Sequence, residues 1–196
     1  MPNKVKFNLC DVHYAPLKKN TEDTVEYGTP VPLPGAVSLS LDPSGEQEPF
    51  YADGIEYYIL SNNMGYTGDL ELALIPESFR TDILKESYDT NKVLVEAVDV
   101  EFARFALLFR FDGDVKQIRH VLYNCTVSRP KIESKTNEES KEVQTETLSL
   151  TARPLRMGMV KAKTGDNTTN SVYSNWFKNV YIPSKTTSTT TTTTGG

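Results

Sequence analysis

The chain has 196 residues, a net charge of -5, two histidines and two cysteines, and 38% of it is hydrophobic. That length suits one domain, or a domain with arms, and one modest core, and no apolar run approaches the roughly 20 residues of a membrane span. Charge is uneven: from Asn20 to Phe79 there are eleven acidic residues and no Lys or Arg, which makes this span a solvated acidic face or a surface that repels nucleic acid or meets a basic partner. The N-terminus lacks the apolar core of a signal peptide, so a cytoplasmic protein is expected, with Cys10 and Cys125 reduced and buried.

In chain order, Val5, Phe7 and Leu9 alternate with Lys6 and Asn8, a short strand. Lys18 to Asp23 is a polar turn. Pro30, Pro32 and Pro34 make Tyr27–Pro34 an extended connector or an edge, because proline has no N–H to donate. Val37, Leu39 and Leu41 alternate with Ser38 and Ser40, a half-buried strand, and Asp42-Pro43-Ser44-Gly45 signals a turn. From there to Gly68 the signals are mixed. Phe50, Tyr51, Tyr57, Tyr58 and Tyr66 make this long loop too aromatic to be simply disordered; it packs on its own domain or on a second subunit. Leu70, Leu72 and Leu74 alternate with Glu71 and Ala73. Pro76 opens the one clear helix, to Glu86, with Glu77 near its positive end and Phe79 and Ile83 as an i, i+4 apolar pair. Asp89-Thr90-Asn91 breaks it, and Val93–Val98 is strand-like.

Phe105 to Val127 is the centre of the pattern. Phe105, Leu107, Phe109 and Phe111 alternate with Ala106, Leu108 and Arg110; Val121, Tyr123, Cys125 and Val127 alternate with Leu122, Asn124 and Thr126. Asp112-Gly113 between them predicts a hairpin with a two- or three-residue loop. Lys131–Lys141 reads as a mobile polar loop, Leu148 and Leu150 as a last firm strand, and Met157–Val160 as an added edge strand. Tyr173, Trp176, Phe177, Val180 and Tyr181 form an amphipathic stripe, a helix docked on its own core or an arm docked on a neighbour. Residues 184–196 form a Thr-rich tail, expected to be disordered.

Catalytic signatures are missing: there is no phosphate loop and no nucleophile elbow. His13 and His120 read as packing or surface residues, and Asp112-Gly113-Asp114 lacks the remaining ligands of a calcium loop. A non-enzymatic chain without cofactor or metal is expected.

Six stretches carry a resemblance: GTPVPLPGAVSLSLDPSGE, PFYADGIEYY, GYTGDLELALIPESFR, FALLFRFDGD, RHVLYNCTVSRP and VYSNWFKNVYIP. In this order they resemble the major tail protein, or tail tube protein, of long non-contractile-tailed phages (siphophages) of Gram-positive bacteria, from about Asn3 to Pro183. The resemblance implies a mainly β fold, a sandwich or barrel with one flanking helix, over residues 1–183. It implies hexameric rings that stack into a hollow tube, located in the virion after assembly in the host cytoplasm. Tape measure protein, distal tail protein and tail terminator would be partners, and duplex DNA would pass through the lumen without specific binding.

By position, residues 41–68 match the loop that stacks on the next ring, with Asp42, Phe50, Tyr51, Asp53, Tyr57, Tyr58 and Tyr66 as contacts. This loop is expected to order only on assembly. Ser38, Ser40, Asp69 and Glu71 are candidates for lumen-lining strands, and residues 172–183, with Tyr173, Trp176, Phe177 and Tyr181, for a C-terminal arm. The cation-free span agrees with a lumen, since a basic wall would hold DNA by counterion release and an acidic one would not. Two alternatives stay open: the tube protein of a cellular contractile injection or secretion apparatus, and a monomeric β-sandwich adhesin or carbohydrate-binding module.

Overall fold

The computed structural model describes residues 2–136 and 143–183, without the side chains of residues 47, 48, 50, 51, 56 and 59–61. The Thr-rich tail, part of the expected 131–141 loop, and the side chains of Phe50 and Tyr51 thus lie outside the described residues. In chain order the elements are β1 (Lys6–Asn20), β2 (Val25–Tyr27), β3 (Val31–Pro32), β4 (Ala36–Ser44), β5 (Gln47–Ala52), β6 (Ile55–Ser61) and β7 (Gly65–Leu72). They continue as α1 (Glu77–Asp82), β8 (Ser87–Tyr88), β9 (Leu94–Val95), β10 (Phe105–Gly113), β11 (Ile118–Val127), β12 (Glu146–Arg153), β13 (Lys161–Lys163) and α2 (Asn170–Asn175). The fold is mainly β. One sheet runs β2-β1-β10-β11-β12-β7-β4, with β3 added to β1 and β13 to β11. It curls until β4 comes near β1, which makes it an open barrel.

The main core fills the concave side. Val12, Tyr14, Leu70, Leu72, Phe105, Leu107, Phe109, Leu122, Cys125, Leu148 and Leu150 meet there. Helix α1 plugs it with Phe79 and Ile83, both fully buried, and Phe79 meets Tyr14 and Phe105 edge-on. Arg80 fastens the helix to the sheet through Glu146, whose other oxygen accepts from the Ile75 amide. On the convex side, Ala15, Ala106, Leu108, Val121 and Tyr123 form a second cluster with Leu155 and Trp176. The centre of the sheet is therefore buried on both faces. Cys125 is fully buried, which pushes its thiol up to about 12; it and the half-buried Cys10 are unpaired.

Several expectations change in the folded chain. β1 is far longer than Val5–Leu9, because its edge pairs with β10, β2 and β3 along its length. Val31 and Pro32 take the edge position expected of that proline-rich stretch. β4 runs straight through Asp42-Pro43, expected to turn: on an edge strand the missing proline N–H leaves no ladder bond unmade. The added edge strand forms at Lys161–Lys163 rather than Met157–Val160, and Val93–Val98 pairs only at Leu94–Val95.

The central hairpin forms, but Asp112-Gly113 is not its turn. Gly113 pairs with Lys6, and the chain reverses at residues 114–117. Asn3 holds that reversal. Its side-chain oxygen accepts from the amides of Val115 and Lys116, and its Nδ2 donates to the Lys116 carbonyl. Gly113 is needed for this close approach, since an added Cβ would collide with the Asn3 amide and the Lys116 carbonyl. A bulge in β11 also breaks the strict alternation: Phe105 pairs with Cys125 but Leu107 with Leu122. The extra residue moves Cys125 and Val127 to the concave core beside Leu122, while Val121 and Tyr123 stay on the convex side.

Candidate assembly surface

The convex sheet face has two halves. Over β1, β10 and β11 it is covered by the C-terminal segment. Over β12, β7 and β4 it is bare and polar. Strand pairing sets Ser38 opposite Glu71 and Glu71 opposite Thr147, then Ser40 opposite Asp69 and Asp69 opposite Ser149, then Asp42 opposite Thr67 and Thr67 opposite Thr151. Their partners on alternate positions, Leu39, Leu41, Leu70, Leu72, Leu148 and Leu150, face the core. Hydroxyls donate to the carboxylates: Ser38 Oγ to Glu71 at 2.8 Å, Thr145 Oγ1 to Glu71 at 2.7 Å and Ser149 Oγ to Asp69 at 2.7 Å. The bonds from Thr145 and Ser38 hold the Glu71 carboxyl below the usual carboxylate range. These nine paired residues include no Lys or Arg; the first cation along the face is Arg153, at the end of β12. The four candidate lumen residues, Ser38, Ser40, Asp69 and Glu71, thus share one solvent-facing patch, joined by Thr67, Thr147 and Ser149, which the sequence did not single out.

Residues 41–68 form no irregular loop. β4 and β7 continue past the sheet as the ribbon β5–β6, held at its root by Asn62 N donating to Glu46 O and Met64 N to Ser44 O. At the tip Ala52 pairs with Ile55, so the turn is the two residues Asp53-Gly54, with φ of 53° and 75°. Positive φ at both positions is what an Asp-Gly hairpin turn requires. Tyr57, between the paired residues Glu56 and Tyr58, is the extra residue of a bulge in β6, and Tyr57 and Tyr58 are 70% and 61% exposed. Both tyrosines are uncovered, and among the described residues β5 and β6 pair only with each other. Of the other expected contacts, Asp42 lies in β4 on the polar patch, and Tyr66 lies at the ribbon's root, half-buried.

The aromatic stripe near the C-terminus lies on its own sheet. Helix α2 is only six residues long, and the chain then turns to lay Trp176, Phe177, Val180 and Tyr181 across the convex cluster. Trp176 is 2% exposed and donates from Nε1 to the His120 carbonyl; Tyr123 donates to the Tyr181 carbonyl and Tyr173 to that of Gln117. Arg119 stacks 3.8 Å from the Tyr173 ring centre. Sheet residues that would otherwise be bare apolar surface explain the docking: Ala106, Leu108, Val121 and Tyr123 need this cover.

At the ribbon's root a cavity of about 260 Å³ opens between the strand ends, lined by Lys6, Leu39, Leu41, Tyr66, Phe109, Phe111, His120, Val121, Leu122 and Lys161. His120 stacks flat on Phe109 at 5.1 Å. Burial, then the charges of Lys163, Lys161 and Lys6, pull its imidazole down to about 4, so it is neutral at physiological pH. The sequence does not announce this site, because its residues come from six strands.

No protein-family model matches the chain, and no curated protein matches it. Among solved structures it is similar to the anti-feeding prophage cap, the AFP tube terminating cap determined by cryo-EM, at a TM-score of 0.42 and 10% identity over 84% of this chain and 95% of that one.

Proposed function

We propose that the chain is a phage tail tube protein, whose hexameric rings stack into a hollow tube that conducts the genome out of a siphophage virion. The polar patch on β4, β7 and β12 carries this reading. A wall of hydroxyls and carboxylates offers DNA water-like hydrogen bonding and no cation to pair with its phosphates, so the duplex slides instead of sticking. The patch includes the four residues that the resemblance assigns to lumen strands, and the ribbon that leaves the same two strands supplies the stacking element. The protein's work is structural: it binds copies of itself, with tape measure protein, distal tail protein and tail terminator as further partners, and DNA transits unbound. It assembles in the host cytoplasm and resides in the virion.

Electron microscopy of the concentrated purified protein tests this. Hollow tubes are the expected result. A strictly monomeric sedimentation profile at high concentration, with an initiator complex present, overturns it and favours the adhesin reading.

A further inference from the structure

The cavity at the ribbon's root has no part in the polar patch. Its walls are apolar and aromatic, from Leu39, Leu41, Phe109 and Phe111, and its cations are Lys6 and Lys161. Both lysines are already placed by rings: Lys6 Nζ lies 4.8 Å from the Phe111 centroid and Lys161 Nζ 4.3 Å from that of Tyr66. The lining includes no Asp or Glu. At about 260 Å³ the cavity falls below the usual range of small-molecule sites, about 300–1,000 Å³, and suits a side-chain anchor.

The ribbon has the opposite chemistry. Its sequence from Glu46 to Ser61 holds Glu46, Glu48, Asp53 and Glu56 and no Lys or Arg, and it presents Ile55, Tyr57 and Tyr58 to solvent. Within one chain the two do not meet. The cavity sits at the root, beside Leu41 and Tyr66, and a strand rises about 3.3 Å per residue, so the eight steps from Ser44 to Ala52 set the tip roughly 25 Å away. Acidic aromatic tip and basic aromatic cavity are complementary only between molecules.

We infer that the cavity lined by Lys6, Phe109, Phe111 and Lys161 is the acceptor for the β5–β6 ribbon of a second copy, with a β6 tyrosine as the anchor and ribbon carboxylates on the two lysines. This rests on the self-assembly reading and adds to it the receiving surface. One donor and one acceptor on every copy is a head-to-tail contact, which builds closed rings or open filaments rather than a pair.

The test is a charge reversal and its reciprocal. Assembly is followed by sedimentation and electron microscopy, with thermal unfolding of the dilute protein as the folding control. Lys6→Glu with Lys161→Glu should raise the concentration needed for assembly at least tenfold and leave unfolding unchanged. Adding Glu48→Lys and Glu56→Lys, both further out on the ribbon, to the same chain should restore assembly. Lys6→Glu alone, at an exposed position, serves if the Lys161 change disturbs Tyr66. Assembly of the reversed chain at the wild-type concentration, while Tyr57→Ser with Tyr58→Ser abolishes it, overturns the acceptor and leaves the tube reading standing. Loss of assembly without restoration by the reciprocal changes also overturns the acceptor. Failure of the wild-type chain to assemble at all removes both.

Discussion

Two hairpins in this chain contain Asp-Gly, and they are opposites. In β10–β11 the dipeptide Asp112-Gly113 lies within a strand, the reversal is held by Asn3, and the strands are buried on both faces. In β5–β6 the dipeptide Asp53-Gly54 is the turn itself, and Tyr57 and Tyr58 are exposed. The first hairpin has its register set by what packs on it. The second takes its register from its own turn and shifts it by one residue at the Tyr57 bulge. An isolated two-stranded ribbon is marginal in water, so on the proposed reading its exposed tyrosines meet a second copy, whereas the aromatics of the central hairpin are packed within their own chain.

The largest effect that would sharpen this contrast is removal of the cover. Truncation before Val172 should leave the central hairpin's convex residues bare, so the truncated chain is expected in the insoluble fraction, or unfolded by circular dichroism. An arm docked on a neighbour would instead leave a folded core that fails to assemble; a soluble, cooperatively folded truncation would restore that reading. Next, Phe105→Ala should cost about 3–5 kcal/mol in denaturant unfolding, because the ring is fully enclosed. A loss under 1 kcal/mol would mean the concave core is loosely packed.

A smaller effect is expected from pH. The folded chain holds His120 at about 4, below its ordinary 6.5. Between those values the unfolded chain binds the proton more readily, so this contribution is complete above about pH 6.5 and is lost as pH falls towards 4. His120→Phe should flatten that part of the stability–pH curve relative to the parent; parallel curves would contradict the burial of the imidazole. The smallest effect on stability is expected at the ribbon. Tyr57→Ser with Tyr58→Ser should change monomer unfolding by no more than about 0.5 kcal/mol for each substitution, as surface changes do, while abolishing assembly. A loss of several kcal/mol would show that the ribbon packs on its own body and would break the contrast.

What was legible in the sequence follows from which forces act locally. The alternation of leucines in β4, β7 and β12, and the Phe79–Ile83 pair of α1, read correctly because each element buries one face and shows the other. Ser38, Ser40, Asp69 and Glu71 fell on one patch for the same reason. The bulge in β11 was not legible: nothing in Leu122-Tyr123-Asn124 announces an extra residue, and it exists because two cores compete for the strand. The turn at residues 114–117 depends on Asn3, over a hundred positions earlier. The ribbon's Asp53-Gly54 was legible and passed over, as the surrounding polar and proline residues resembled loop composition. The C-terminal stripe fitted a helix, but Trp176 and Tyr181 reach the sheet through a turn whose shape is set by the surface beneath it.

The pairing of β1 with β10 has a kinetic meaning. Its partners run from Lys6 with Gly113 to Pro16 with Phe105, 107 to 89 positions apart. During synthesis at about 5–20 residues per second, β1 waits for several seconds before its partner leaves the ribosome, and the convex cluster waits for Trp176. The β5–β6 ribbon closes a two-residue loop, and hairpins of that kind form in about 1–10 μs. On the proposed reading, the element that meets other copies therefore has its own contacts available long before the body around it is complete. Folding of the body is non-local and slow by comparison, so nascent and newly released chains spend a window with an exposed aromatic ribbon and, if the inferred acceptor holds, no finished surface to receive it.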